Sequence, residues 1–266
     1  MEDGYNATKM LRHLSPEIEA MRLEKERNKR SVRRLLESRT EENDGADYLS
    51  PSTLQNGASL REQVKLPDNV PLEQWIYTNM MNFVEITSML YDSVSDMCTK
   101  ESCPEMSAGP HYSYYWTDFN GSNPVPMTAK QYINTLFQSI NDLFESEPFN
   151  QCASGVFPES FMKTSRAIFK KLFRVYAHVY HNHLSEFTKL GAEAHLNTTF
   201  KHFILFDREF KMINIKEEVP LQKLIQRLLD DDDEASNYRD DPRAQLVRGM
   251  NSSSYRKNPP SDVSDD

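Results

Sequence analysis

The sequence predicts a mostly α-helical bundle, with at most one small β-hairpin. Three observations carry that expectation. Apolar residues recur at steps of three and four along several long segments, the mark of helices with one buried face. Alternation of a strand type is confined to a single aromatic stretch. Two cysteines and two histidines, each pair separated by four residues, offer donors that could staple helices together.

The elements follow in order. Pro71 begins a run in which Leu72, Trp75, Ile76, Met80, Phe83, Ile86, Leu90 and Val94 mark one helix face. Thr128 and Gln131 are spaced as a capping box ahead of a second helix, whose face is Tyr132, Ile133, Leu136, Ile140, Leu143 and Phe144. Pro158 opens a long third helix through Tyr180, a fourth covers about 195–212, and a shorter one about 217–229. Between the first two lies Tyr112-Ser113-Tyr114-Tyr115-Trp116, followed by Asn120-Gly121, the one hairpin signal in the chain.

Charge divides the chain further. The 266 residues carry 31 Lys+Arg against 40 Asp+Glu, a net charge of −9. Residues 230–266 hold −5 of it, residues 60–229 only −3, and residues 1–59 −1. The last 37 residues, opening Asp230-Asp231-Asp232-Asp233-Glu234, have few aliphatic side chains and read as an acidic disordered tail. Residues 1–52 read as a basic, partly helical extension and linker: positions 18, 21, 25, 28, 32 and 35 fall at heptad steps, and Arg22–Arg39 holds eight basic and three acidic residues. A solvated charged helix explains that pattern, and so does a basic amphipathic helix that docks on an acidic groove or pairs with itself. The near-neutral core and the absence of finger-like spacing argue against nucleic-acid reading. No stretch approaches the roughly 18 apolar residues of a membrane span. Three cysteines without a signal-peptide pattern fit a reducing compartment, the cytoplasm, with the nucleus as a second location.

Cys98, Cys103, His178 and His183 form a Cys2His2 set of the kind that closes a tetrahedral zinc site. The long stretch between Cys103 and His178 excludes an autonomous zinc finger; such a site would tie the loop after the first helix to the third. Residues five apart on a helix lie about 140° apart around its axis, so His181, three after His178, is a rival ligand. A catalytic zinc using Glu186 or Glu193 as base requires an open coordination position, which four protein ligands do not leave. Cys152 has no partner in the pattern and reads as an ordinary thiol. Arg166, Lys170 and Arg174 recur every four residues, with Lys171 adjacent; a solvated basic stripe and a phosphate-binding cluster both fit that spacing.

Several motifs, in order, resemble the Mob family of kinase coactivators: Gln74-Trp75-Ile76, Asn82-Phe83, Met89-Leu90-Tyr91, Cys98-Thr99, Cys103-Pro104, Met106-Ser107-Ala108-Gly109-Pro110, Leu172-Phe173-Arg174-Val175-Tyr176-Ala177-His178, His181-Asn182-His183 and Glu193-Ala194-His195-Leu196-Asn197-Thr198. The resemblance runs from about Thr53 to Leu229, so residues 53–229 are expected to form the family's domain. It implies a helical bundle without catalytic activity, holding a structural Zn2+ on Cys98, Cys103, His178 and His183. It further implies binding and activation of an NDR/LATS-type AGC kinase through that kinase's basic N-terminal region, and docking of phosphorylated Ste20-like kinases of the Hippo type. The phosphopeptide pocket maps to Lys170, Lys171 and Arg174, and the kinase face to Glu73, Trp75 and Asn82. The chain departs from the family at that face. Acids expected near Val70 and Gln74 are absent, and Asn82 stands where some members carry Asp, which also admits a scaffold member that activates no kinase.

Overall fold

The computed structural model describes Thr53 and residues 57–230. The expected basic extension and all of the expected acidic tail beyond Asp230 lie outside these residues. Seven α-helices occur among the described residues: α1 (Gly57–Val64), α2 (Leu72–Asp92), α3 (Ala129–Glu145), α4 (Phe161–Asn182), α5 (Leu184–Lys189), α6 (Glu193–Phe210) and α7 (Gln222–Asp230). Short 3-10 turns occupy Gly109–His111, Phe149–Ser154 and Ile215–Leu221.

Helix α4 is the axis of the bundle, because fifteen of its side chains are buried on more than one face. Helix α2 packs along it, α3 and the 3-10 turn Ile215–Leu221 also touch it, and α1 lies against α6. The capping box predicted for α3 is present. The Thr128 hydroxyl accepts from the Gln131 backbone N–H at 3.2 Å, and the Gln131 side chain accepts from the Thr128 N–H at 3.3 Å. Helix α4 starts at Phe161 rather than Pro158; its first N–H donates to the Pro158 carbonyl, so the proline sits in the lead-in turn. The predicted last helix is two elements, since Pro220 supplies no N–H and the chain takes a 3-10 course until Gln222.

Two helices were not expected. Helix α1 has only Leu60 and Val64 as described buried apolar positions, too few to show a period, and α5 is six residues long. Trp75 ties α1 to α2 by donating from its indole Nε1 to the Val64 carbonyl at 3.2 Å. The predicted hairpin does not form a ladder. Trp116 and Val125 exchange backbone hydrogen bonds of 2.8 and 2.9 Å as a single antiparallel bridge. The next residue placed to continue that pairing, Met127, instead gives its carbonyl to the Met106 N–H at 3.0 Å, so the bridge stays isolated. Asn120-Gly121 still turns the chain, with the Asp118 carboxylate accepting from the Asn120 and Ser122 N–H groups at 2.9 Å.

The centre of the core is aromatic. Phe83 of α2 meets Phe169 of α4 and His202, Phe203 and Phe206 of α6 at centroid distances of 5.0–5.8 Å, all edge-on. Edge-to-face pairs add about 0.5–1.5 kcal/mol beyond area burial. Replacing Phe83 by Ala should therefore destabilise the domain by about 3–5 kcal/mol in urea unfolding, because three helices lose their shared contact at once.

Candidate functional site

The four predicted donors converge. Cys98 follows the turns that end α2, and the next residues fold tightly on themselves. The Ser102 hydroxyl donates to the Met97 carbonyl at 2.7 Å, the Thr99 hydroxyl accepts from the Ser102 N–H at 3.2 Å, and the Cys103 N–H donates to the Thr99 carbonyl at 2.9 Å. This brings both sulfurs to one side. Cys98 Sγ lies 3.5 Å from His178 Nε2, Cys103 Sγ lies 3.5 Å from His183 Nε2, and all four donor atoms fall within 4.8 Å of one another. A zinc tetrahedron with Zn–S near 2.3 Å and Zn–N near 2.0 Å would separate S and N by about 3.5 Å. The donor set therefore fits Zn2+ in chemistry and in spacing.

The helical objection to His178 and His183 is answered by where α4 stops. His178 is within the helix, but His183 lies just past its last residue with φ −133° and ψ 11°. Leaving helical geometry lets its ring swing toward the other three donors. His181 stays outside the cluster: its Nε2 meets the Pro220 carbonyl at 3.0 Å. Its ring also packs on Gly109, where a Cβ would meet His181 Nδ1 at 3.0 Å and φ is +67°, so glycine is required there on two counts.

Orientation and protonation suit a metal as well. The Ser107 carbonyl faces His178 Nδ1 at 2.8 Å, which places the proton on Nδ1 and leaves the Nε2 lone pair toward the sulfurs. Burial pushes His178 down to about 4, partly opposed by that hydrogen bond, and lowers His183. Both imidazoles are thus neutral near pH 7, as ligands must be. Burial also pushes the Cys98 thiol up to about 11; a divalent cation beside it would favour the thiolate instead. The carboxylates of Glu186 and Glu193 each take a hydroxyl hydrogen bond, from Ser185 at 2.9 Å and Thr188 at 3.1 Å. Cys152 is buried away from the set.

The cations on α4 are not a solvated stripe. Burial deepens along it: Arg166 is exposed, Lys170 half-buried, and Lys171 and Arg174 buried. Lys171 Nζ donates to the Thr117 carbonyl at 2.6 Å and lies 4.4 Å from the centre of the Trp116 ring, with Phe119 and Tyr132 at 5.9 and 5.8 Å. Arg174 donates through Nε and Nη2 to the Glu217 carboxylate, both at 3.2 Å, and through Nη1 to the Tyr132 hydroxyl at 3.4 Å. The Tyr114 ring covers its guanidinium at 5.0 Å. These partners went unrecognised in the sequence. Tyr132 read as core, Tyr114 and Trp116 as hairpin, and Glu217 as an ordinary helix residue.

The three residues mapped to a kinase face are not brought together. Trp75 and Asn82, seven apart, share the inner side of α2 and are buried at 1% and 9% exposure, whereas Glu73 lies about 180° from Asn82 around the axis. Trp75 supports the α1–α2 joint from inside.

The fold and site define a mostly helical domain with four buried metal-type donors and, beside them on α4, buried cations. The comparisons place it: the Mob1/phocein family profile matches residues 51–221, and the chain belongs to that family. It is 42% identical over 180 residues to MOB kinase activator-like 1B of Arabidopsis thaliana, covering 67% of this chain and 83% of that protein. It is 41% identical to the maintenance of ploidy protein mob1 of Schizosaccharomyces pombe, covering 67% and 85%. It is 39% identical over 183 residues to MOB kinase activator-like 1 homolog C of Dictyostelium discoideum, covering 66% and 82%. No helix among the described residues is long and apolar enough to cross a membrane.

The metal set and its rival separate under mutation. His183→Ala should lose bound zinc and stability, while His181→Ala should keep the metal, as read by elemental analysis and thermal melting. Chelation of the wild type should act like His183→Ala. Metal at about a thousand times its Kd contributes about 4 kcal/mol, equivalent to roughly 8–16 °C in Tm for a domain of this size.

Proposed function

We propose that the chain is a non-catalytic adaptor that binds and activates an NDR/LATS-type AGC serine/threonine kinase through that kinase's basic N-terminal region. It docks phosphorylated Ste20-like kinases through Lys170, Lys171 and Arg174, and it works in the cytoplasm and nucleus with a structural zinc. The observation that carries this reading is family membership, at about 40% identity to proteins named as kinase activator-like, over most of their length. The Cys2His2 cluster supports a structural rather than a catalytic ion, since four buried protein donors fill a tetrahedron and leave no position for water. That same closure weighs against a zinc hydrolase.

The cation cluster supports the phosphopeptide role in graded fashion. Lys170 and Arg166 reach solvent and can meet an incoming anion, while Lys171 and Arg174 set a positive floor held by aromatic rings. A scaffold that activates no kinase is favoured by one specific feature: Val70 and Gln74 are uncharged where the resemblance leads one to expect acids facing a basic partner, and Asn82, where some members carry Asp, is buried.

Full-length protein should retain a phosphothreonine peptide and not its unphosphorylated form. Lys170→Ala should weaken that binding about tenfold, the value of one charge-assisted hydrogen bond near 1.5 kcal/mol; equal retention would remove the pocket. Affinity purification from cells separates activator from scaffold: an activator brings down an NDR-type kinase whose activity rises with added protein, a scaffold brings down an assembly whose kinase activity does not.

A further inference from the structure

The Arg174 fork, on which phosphate recognition would depend, is already held by an acid of the same chain. Glu217 takes the Nε/Nη2 edge of the guanidinium with both carboxylate oxygens, and the Tyr132 hydroxyl and Tyr114 ring account for Nη1 and one flat side. A carboxylate and a phosphomonoester present the same pair of oxygens to an arginine edge, so Glu217 sits where a phosphate would make its best contact.

The surroundings make sharing difficult. The side chains of Arg174 and Glu217 are only 9% and 14% exposed. A dianion entering beside the carboxylate would meet like charge with little water to screen it. Glu217 is nevertheless not anchored on one of the long helices. It is half-buried and lies on the 3-10 turn Ile215–Leu221 rather than on α3 or α4. That turn is fixed independently on both sides of it: Asn214 caps the Lys216 N–H at 3.0 Å, Glu218 accepts from Arg208 Nη1 at 2.6 Å, and the Pro220 carbonyl meets His181. The Glu217 side chain can therefore swing out while its backbone stays attached.

Resting on the phosphopeptide reading of this pocket, we propose that Glu217 is an intramolecular plug, holding the Arg174 fork until the phosphate of a phosphothreonine peptide displaces its carboxylate. In the ligand-free protein the plug compensates a buried guanidinium that would otherwise lack a counter-charge. On binding, the phosphate takes over that compensation. The plug thus sets a threshold that a dianion passes and a neutral threonine does not.

The test is titration calorimetry of the full-length chain with a phosphothreonine peptide, its unphosphorylated form and inorganic phosphate. Glu217→Gln keeps the size and an acceptor oxygen but removes the charge, and should bind the phosphopeptide roughly tenfold more tightly than wild type. Inorganic phosphate should show a similar relative gain at weaker affinity. Glu217→Asp, too short to span both nitrogens, should give a smaller gain and serves where the Gln variant melts early. If wild type binds the phosphopeptide and both variants bind it equally or less tightly, the plug is overturned while the pocket stands. If wild type and variants all fail to bind, the pocket reading falls and the plug with it.

Discussion

Cys98 and Cys103 must meet His178 and His183 across two spans of 80 residues each, and much of the local structure is arranged around that meeting. Closing so long a loop with side-chain packing alone sacrifices considerable chain entropy; a metal ion held by these four donors would offset it at the closure point. The geometry shows what this closure demands of the chain. Helix α4 ends at Asn182 so that His183 can leave helical register, and α5 restarts one residue later. The Ser107 carbonyl fixes the His178 ring, and Asn182 donates to the His178 carbonyl at 3.1 Å across the last turn. Next to it, Gly109 leaves room for the His181 ring, which in turn reaches Pro220. Neighbours that hold no metal themselves are thus placed by the ones that would.

Much of this frame was legible in the sequence because its helices are long. Helices α2, α3, α4 and α6 each repeat an apolar face often enough to fix a period, and α3 carries a capping box that marks its start. Short elements escape the same reasoning. Helix α1 buries Leu60 and Val64, one turn apart, and α5 buries only Phe187, so neither gives a repeat to count. The aromatic stretch at Tyr112–Trp116 misled for a different reason. Its composition suits a strand, but its rings serve as walls for Lys171 and Arg174, and its backbone makes isolated bridges, Ser113 with Ser107 and Trp116 with Val125, in place of a ladder.

The candidate site divides along the same line. The metal donors were readable as residue types and spacing, although the choice between His181 and His183 turned on a helix end that no spacing rule locates. The cation pocket was readable only as a stripe of charge. Its depth comes from tertiary contacts, with Trp116, Tyr132 and Tyr114 enclosing Lys171 and Arg174, and from Glu217, which approaches from 43 residues away. A sequence displays a charge but not the rings and acids that will surround it, and those decide whether a lysine is solvated or buried. The kinase face shows the converse. The resemblance maps Trp75 to a binding face while its spacing puts it on the apolar face of α2, and the indole is spent inside the domain on the Val64 carbonyl.

Both halves of the site are carried by one rigid element. Lys171 and Arg174 occupy the middle of α4, His178 lies one turn beyond Arg174, and His183 caps the helix. Side chains four apart lie on neighbouring positions of a helix face, so the imidazole that would ligate the metal and the fork that holds Glu217 share one local frame. The 3-10 turn Ile215–Leu221 bridges the same two regions from outside, through Glu217 on Arg174 and the Pro220 carbonyl on His181. An anion site needs its donors fixed to within a fraction of an ångström, and arginine, with its many torsions, is costly to immobilise. The Arg174 guanidinium is already immobilised by its packing between Tyr114, Tyr132 and the Glu217 carboxylate, and a metal on the four converging donors would pin the far end of α4. The contacts that hold the guanidinium and the donors that would hold a metal are thus built on successive turns of the same helix.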